Sequence, residues 1–100
     1  MSPTGSIRER TVVQGTISIV KRPDTASYRI RFYRNETPDL LRPATAYIAR
    51  GVAGLEVFLE ECGMHSDTQR LIKDALKSEC FANVLDYRVP DDVLKRYGLM

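Results

Sequence analysis

Apolar side chains recur with two different periods along this chain, and the change of period constrains the fold more than any other feature. The segment 27–34, SYRIRFYR, alternates between apolar and basic positions. One parity holds Tyr28, Ile30 and Phe32, and the other holds Arg29, Arg31 and Tyr33. Successive side chains of an extended strand point to opposite faces. The segment therefore predicts a strand with one core-facing side and one basic side.

A second strand precedes it. The segment 11–20, TVVQGTISIV, also alternates and is rich in β-branched residues, which favours a strand beginning near Thr11. Pro23 lies between the two segments, within turn chemistry typical of a hairpin. Pairing Ile19 with Ile30 aligns the two apolar faces and leaves the four-residue loop PDTA, a common hairpin length.

The period changes to that of a helix over residues 44–62. At about 100° per residue, the apolar side chains of this segment fall within one arc and its glutamates fall outside. The segment predicts one amphipathic helix of about five turns. Gly51 and Gly54 lie inside the apolar arc, which indicates close approach of another backbone.

The remaining chain predicts a helix, a strand and a short helix. Gly63 is placed to end the first helix as a left-handed cap. Ser66 is predicted to start the second helix in a capping box with Gln69, and that helix runs to about Glu79. The segment 82–89, ANVLDYRV, alternates as a third strand, with Leu85, Tyr87 and Val89 on one parity. A terminal helix follows Pro90.

The order ββααβα predicts an α+β fold, with a three-stranded, mostly antiparallel sheet and helices packed on one face. Residues 1–10 are polar and predict a flexible N-terminal tail, and residues 11–100 predict a single domain.

Composition and sequence pattern limit the class of protein and the cellular location that we expect. The 100 residues are 43% hydrophobic and carry a formal net charge of +2. No apolar run approaches the roughly 20 residues of a membrane-spanning helix. The start of the chain lacks the apolar core of a secretory signal. Two cysteines without a CxxC pattern favour a reducing, cytoplasmic location. No cofactor motif is present, so no cofactor is expected.

The first candidate site is a polyanion-binding surface on the basic strand. Single-strand binders combine a positive groove with aromatic platforms on a sheet. Polar-out alternation and arginines are also common on an ordinary sheet face, so we expect this face to be mainly solvated and any binding of a polyanion such as nucleic acid to be weak and non-specific. The residues of this candidate are Lys21, Arg22, Arg29, Arg31, Tyr33 and Arg34.

The second candidate is the second helix. Two helices joined through Gly63 resemble the helix-turn-helix of DNA-binding proteins over about twenty residues. That resemblance implies a helix face that reads the major groove, formed by Gln69, Arg70, Lys73 and Lys77. Leu59 and Gln69 depart from the usual pattern of the motif. A capped αα-turn in an ordinary domain explains the same residues.

The third candidate is a zinc site. Cys62 and His65 have a C-x-x-H spacing, and Cys80 adds a third soft ligand. A closed structural zinc site requires four ligands. The chain supplies only three soft ones, so no metal is expected. Cys80 is expected in the core.

These observations predict a non-enzymatic interaction module that self-associates as a homodimer. The first strand lacks charges, the usual guards of a sheet edge, and its predicted interface comprises Val12, Val20 and Tyr33. The alternative is a small nucleic-acid-binding or regulatory protein. An enzyme remains as a third reading only if two chains enclose a pocket near Tyr28, Tyr47 or Arg31.

Overall fold

The computed structural model describes residues 11–23, 25–35 and 45–99, so the predicted tail 1–10 lies outside the described residues. Four strands and three helices follow one another in the order βββααβα. The strands are β1 (Val12–Lys21), β2 (Ser27–Arg34), β3 (Tyr47–Arg50) and β4 (Phe81–Pro90). The helices are α1 (Gly51–Glu61), α2 (Ser66–Glu79) and α3 (Asp91–Arg96).

The strands form one antiparallel sheet in the order β3-β2-β1-β4, and the helices cover one of its faces. The predicted α+β class is confirmed, although the sheet has four strands where the sequence predicted three. The hairpin register is also confirmed, because Ile19 pairs with Ile30 and Ile17 with Phe32. These four side chains are 0–2% exposed, so alternation in β1 and β2 forms one wall of the core.

The extra strand, β3, comes from the start of the segment predicted as one long helix. Gly51 has φ +70°, a conformation that L side chains avoid and that interrupts a right-handed helix. The chain before it is extended, with Ala49 buried and Ile48 exposed. The helical prediction was therefore wrong for residues 45–50, and position 44 lies outside the described residues. The four residues of β3 are too few to distinguish the period of a strand, 2, from that of a helix, 3.6.

β1 is a central strand. It pairs with β2 along one side and with β4 along the other. The missing edge charges therefore give no support to an interface along this strand, because β1 is not a sheet edge. An uncharged, β-branched strand is equally typical of a sheet centre, where no edge guard is needed.

A β-bulge shifts the side-chain parity of β4. Ile17 pairs with Val84 but Gly15 pairs with Tyr87, so two residues of β4 lie opposite Thr16. One of them, Asp86, has φ +52°. Leu85 is therefore 70% exposed whereas Tyr87 packs against the core, and the prediction that they share a face was wrong.

α2 ends at Glu79 as predicted, but its capping differs. His65 is the N-cap, and its Nδ1 accepts a hydrogen bond from the Asp67 amide at 3.1 Å. Gln69 is turned inward and donates from Nε2 to the Met64 carbonyl at 2.9 Å. Leu71, predicted to face inward, is 68% exposed. Gly63 caps α1 in the left-handed region, as the sequence predicted, and Gly98 follows α3 in the same conformation.

We expect the two glycines of α1 to respond oppositely to alanine. Gly51→Ala should lower the free energy of unfolding by about 1–2 kcal/mol, because alanine is strained at φ +70°. Gly54→Ala should raise it by about 0.5–1 kcal/mol. A Cβ at Gly54 would lie 3.5 Å from the Ala49 carbonyl carbon, an ordinary contact. Urea denaturation of both variants measures the difference, and equal effects would contradict the assigned start of α1.

Candidate functional site

The face of the sheet opposite the helices is covered by none of the described helices, and we call it the open face. Its membership follows from the pairing register and from the alternation of burial along each strand. Its outward positions are Val12, Gln14, Thr16, Ser18, Val20, Arg29, Arg31, Tyr33, Ile48, Arg50, Phe81, Asn83, Leu85 and Arg88.

Large apolar side chains are concentrated on the open face. Those that are exposed there are Val12, Val20, Tyr33, Ile48, Phe81 and Leu85. Phe81 and Val20 are cross-strand partners, Val20 pairs with Arg29, and Arg29 pairs with Ile48. One row across the sheet is thus apolar except for a single arginine. Side chains opposite one another in such a row are in reach of contact.

The open face is also cationic. Arg29, Arg31, Arg50 and Arg88 occupy outward positions and have no ion-pair partner among the described residues. The four strands carry six basic residues and one acidic residue, whereas the three helices carry five basic and eight acidic ones. The small net charge of the chain therefore hides a difference in charge between the strands, which are basic, and the helices, which are acidic.

The sole carboxylate within the described strands is Asp86, at the bulge. Its Oδ1 accepts a hydrogen bond from Asn35 Nδ2 at 3.0 Å. It does not pair with the arginines of the open face. No described carboxylate therefore forms an ion pair with these four arginines.

The structure divides the six residues of the predicted polyanion surface. Arg29, Arg31 and Tyr33 do lie together on the open face. Lys21 and Arg34 share the parity of the core residues, and Lys21 lines a cavity on the helix side. Arg22 lies at the hairpin end, where its amide donates to the Ser27 carbonyl.

Sequence reasoning missed three of the cationic and aromatic members of this surface. Arg50 was assigned to a helix, and Phe81 and Arg88 could not be placed without the β1–β4 register. Phe81 matters most, since it adds a second exposed aromatic ring. From strand spacing and rise, its Cα lies roughly 16 Å from that of Tyr33. Arg31 lies between their rows, opposite Ser18.

The four residues of the second-helix candidate do not lie together on one surface. Gln69 is buried and its amide is occupied by Met64. Lys73 forms an ion pair with Glu56 of α1. Only Arg70 and Lys77 remain exposed without a described ion-pair partner, and both line the cavity that contains Lys21. The four side chains do not form one groove-reading face.

The soft ligands are separated. Cys62 and Cys80 lie at opposite ends of α2, roughly 20 Å apart. Cys62 is buried and Cys80 exposed, the reverse of what was expected for Cys80. Burial raises the pKa of the Cys62 thiol to about 12, so at neutral pH the side chain is a protonated thiol rather than the nucleophilic thiolate. In residues 11–23, 25–35 and 45–99, no three metal-ligating side chains cluster.

The residues of the enzyme hypothesis are also apart. Tyr47 stacks in a cluster with Phe58 and Tyr97, at ring-centroid distances of 6.2 Å and 4.6 Å. Tyr28 lies on the helix side of the sheet and Arg31 on the open face.

None of the described helices is long and apolar enough to cross a membrane.

No family model matches this chain. Searches of curated proteins and of solved structures also find no match. The functional argument therefore depends on the geometry and charge of the chain itself.

Burial of Cys62 predicts a specific pH dependence. Its pKa is raised above the unfolded value of 9.0 to about 12, so between these values the unfolded chain loses a proton that the folded chain keeps. The stabilisation is complete below about pH 9, and the free energy of unfolding should fall by about 1.4 kcal/mol per pH unit above it. Urea denaturation from pH 8 to 11 measures this slope.

The matched control is the second cysteine. Cys62→Ala should flatten the alkaline slope, whereas Cys80→Ala should leave it unchanged. Burial also raises the pKa of Tyr87 and Tyr97, so a residual slope of the same sign is expected in both variants. Equal slopes in the wild type and Cys62→Ala would contradict the assignment.

Proposed function

We propose that this protein is a non-enzymatic binding module that holds single-stranded nucleic acid on the open face of its sheet. The observation that supports this most is the set of arginines that have no ion-pair partner in the described part of the chain and that lie beside exposed aromatic rings. Single-strand binders use positive side chains to follow the backbone and aromatic side chains to stack on bases. Tyr33 and Phe81 supply the rings, and Arg29 and Arg31 lie between or beside them.

Charge favours an anionic partner over a second copy of the same face. A two-fold interface presents the same patch from both subunits, so face-to-face pairing would place four arginines opposite the same four. Asp86, the sole strand carboxylate, is hydrogen-bonded to Asn35. A like-charged contact of this kind disfavours association, whereas phosphates match the arginines of the whole face.

Binding should be moderate in strength and strongly dependent on salt. Four arginines can release about four counterions, which gives a slope of roughly −3 in log K against log salt for a single strand. The two rings can each stack on one base, worth about 1–3 kcal/mol per base. Sequence preference should be weak, since stacking tolerates every base.

The test is fluorescence anisotropy with labelled oligonucleotides of mixed sequence at 50, 100 and 200 mM salt. Arg29→Glu/Arg31→Glu should weaken binding at least about 30-fold at the lowest salt. Tyr33→Ala/Phe81→Ala should weaken it about 10-fold or more and leave the salt slope unchanged. The wild type should prefer a single strand to the corresponding duplex.

The control reverses two charges on the helix side. Arg70→Glu/Lys77→Glu changes the net charge by the same amount and removes the remaining cations of the second-helix candidate. It should bind nearly as well as the wild type. Loss of binding in this variant alone would place the nucleic acid on α2, and no binding by the wild type at 50 mM salt would end the proposal.

Self-association is the second candidate, and the six exposed apolar side chains of the open face support it. Four strands averaging eight residues cover roughly 500 Å² per copy, so a face-to-face dimer would bury roughly 1,000 Å² in total, near the lower bound for a specific interface. We therefore infer that any homodimer formed through this face is weak and that nucleic acid competes with it.

Light scattering after size-exclusion chromatography tests that inference. At micromolar concentration we expect a monomer, with dimers only at much higher concentration. Val12→Lys/Val20→Lys should abolish any dimer, while Leu71→Lys, on exposed α2 surface, should not. A micromolar dimer that persists in Val12→Lys/Val20→Lys would place the interface outside the open face.

A further inference from the structure

A second surface of distinct chemistry lies behind the sheet. The end of the β1–β2 hairpin, the start of α1 and one side of α2 enclose a cavity of about 350 Å³. Pockets for small molecules begin at about 300 Å³. The cavity is separated from the open face by the sheet itself, because its strand residues, Lys21 and Tyr28, have the parity of the core.

Three cations with no described ion-pair partner line this cavity. They are Lys21 from β1 and Arg70 and Lys77 from α2. Arg70 and Lys77 are two helical turns apart and therefore lie on the same side of α2. Lys73, between them, is occupied by Glu56. The one carboxylate in the lining is Asp74, so the cavity carries a clear positive excess.

The floor of the cavity is apolar. Leu55 and Leu76 are only 1% and 2% exposed, and Tyr28 is 8% exposed. The Tyr28 hydroxyl forms no hydrogen bond within residues 11–23, 25–35 and 45–99. In the same residues, every fully buried side-chain polar atom has a hydrogen-bond partner. The hydroxyl therefore keeps contact with solvent, and the cavity that Tyr28 lines provides that contact. An apolar floor, a free hydroxyl and three cations meet in one place.

We propose that this cavity binds a small organic phosphate, with a compact apolar or aromatic body on the floor and the phosphate among the cations. A phosphate monoester carries about two negative charges at neutral pH, which matches the excess of the lining better than a carboxylate does. Charge-assisted hydrogen bonds from lysine and arginine to phosphate are the strong kind. The Tyr28 hydroxyl is an additional donor.

The probe is phenyl phosphate, with two controls that each supply half of it. Inorganic phosphate has the charge without the body, and phenol has the body without the charge. By titration calorimetry we expect phenyl phosphate to bind with a Kd of about 1 mM or lower, at least about 10-fold tighter than either control. Amide chemical shifts should move at Tyr28, Val52, Arg70 and Lys77, and not on the open face.

Two variants and a matched control locate the site. Lys21→Gln/Lys77→Gln should weaken phenyl phosphate binding about 10-fold or more, and Tyr28→Phe by about 3-fold. Arg29→Gln/Arg31→Gln removes the same charge from the open face and should leave the affinity unchanged. The lysines are exposed, so their substitution should not impair folding, which circular dichroism checks.

Three results would overturn the proposal. The first is that inorganic phosphate binds as tightly as phenyl phosphate. The second is that the amide chemical shifts change only on the open face. The third is that Arg29→Gln/Arg31→Gln weakens phenyl phosphate binding as much as Lys21→Gln/Lys77→Gln does. The result is independent of the oligonucleotide experiment, because the two surfaces share no residue. Either site can fail its own test while the other passes.

Discussion

Pairing of β1 along both of its sides is the constraint on which the rest of the structure depends. Its inward side chains, Ile17 and Ile19, are fully buried beneath the helices. Its pairing with β4 positions the chain segments on either side of that strand, so α2 and α3 must lie over the same face. None of the three described helices covers the opposite face. A central strand that carries no charge from Val12 to Val20 thus determines which face of the sheet the described helices bury.

Strict alternation then gives the two sides of the sheet different chemistry. Within the hairpin, Arg29 and Arg31 point away from the helices while Lys21 and Tyr28 point toward them. A one-residue shift of register would exchange these sets and place arginines in the core. The same register that buries Ile30 therefore also separates the polyanion surface from the cavity behind it.

The sequence predicted correctly those features that depend on the local pattern of one segment or of two adjacent segments. The hairpin register, the end of α2 and the glycine caps all follow from local pattern or local backbone chemistry. Prediction failed where the answer lay elsewhere in the chain. The four residues of β3 resemble the start of a helix unless Gly51 is known to have positive φ. The parity of Leu85 depends on a bulge that only pairing with β1 reveals.

The candidate site shows the same limit. Arg29, Arg31 and Tyr33 could be grouped from one strand, but Phe81 and Arg88 join them only through contacts across the sheet. Lys21 was grouped with the arginines because it is near them in sequence, whereas parity places it on the other face. Gln69 was predicted on a solvent-facing surface, yet its side chain is used to satisfy the Met64 carbonyl.

The partners of β1 also differ greatly in sequence distance, and this has a consequence for how the chain folds. β2 follows β1 after a short turn, but β4 arrives about sixty residues later. During synthesis the hairpin can form early, while the other side of β1 stays unsatisfied until residue 90 has left the ribosome. Non-local pairing of this kind is slow and leaves a strand edge open to other chains in the meantime. The nascent hairpin, with its central strand uncharged, is therefore the stage at which this protein is most exposed to misassembly.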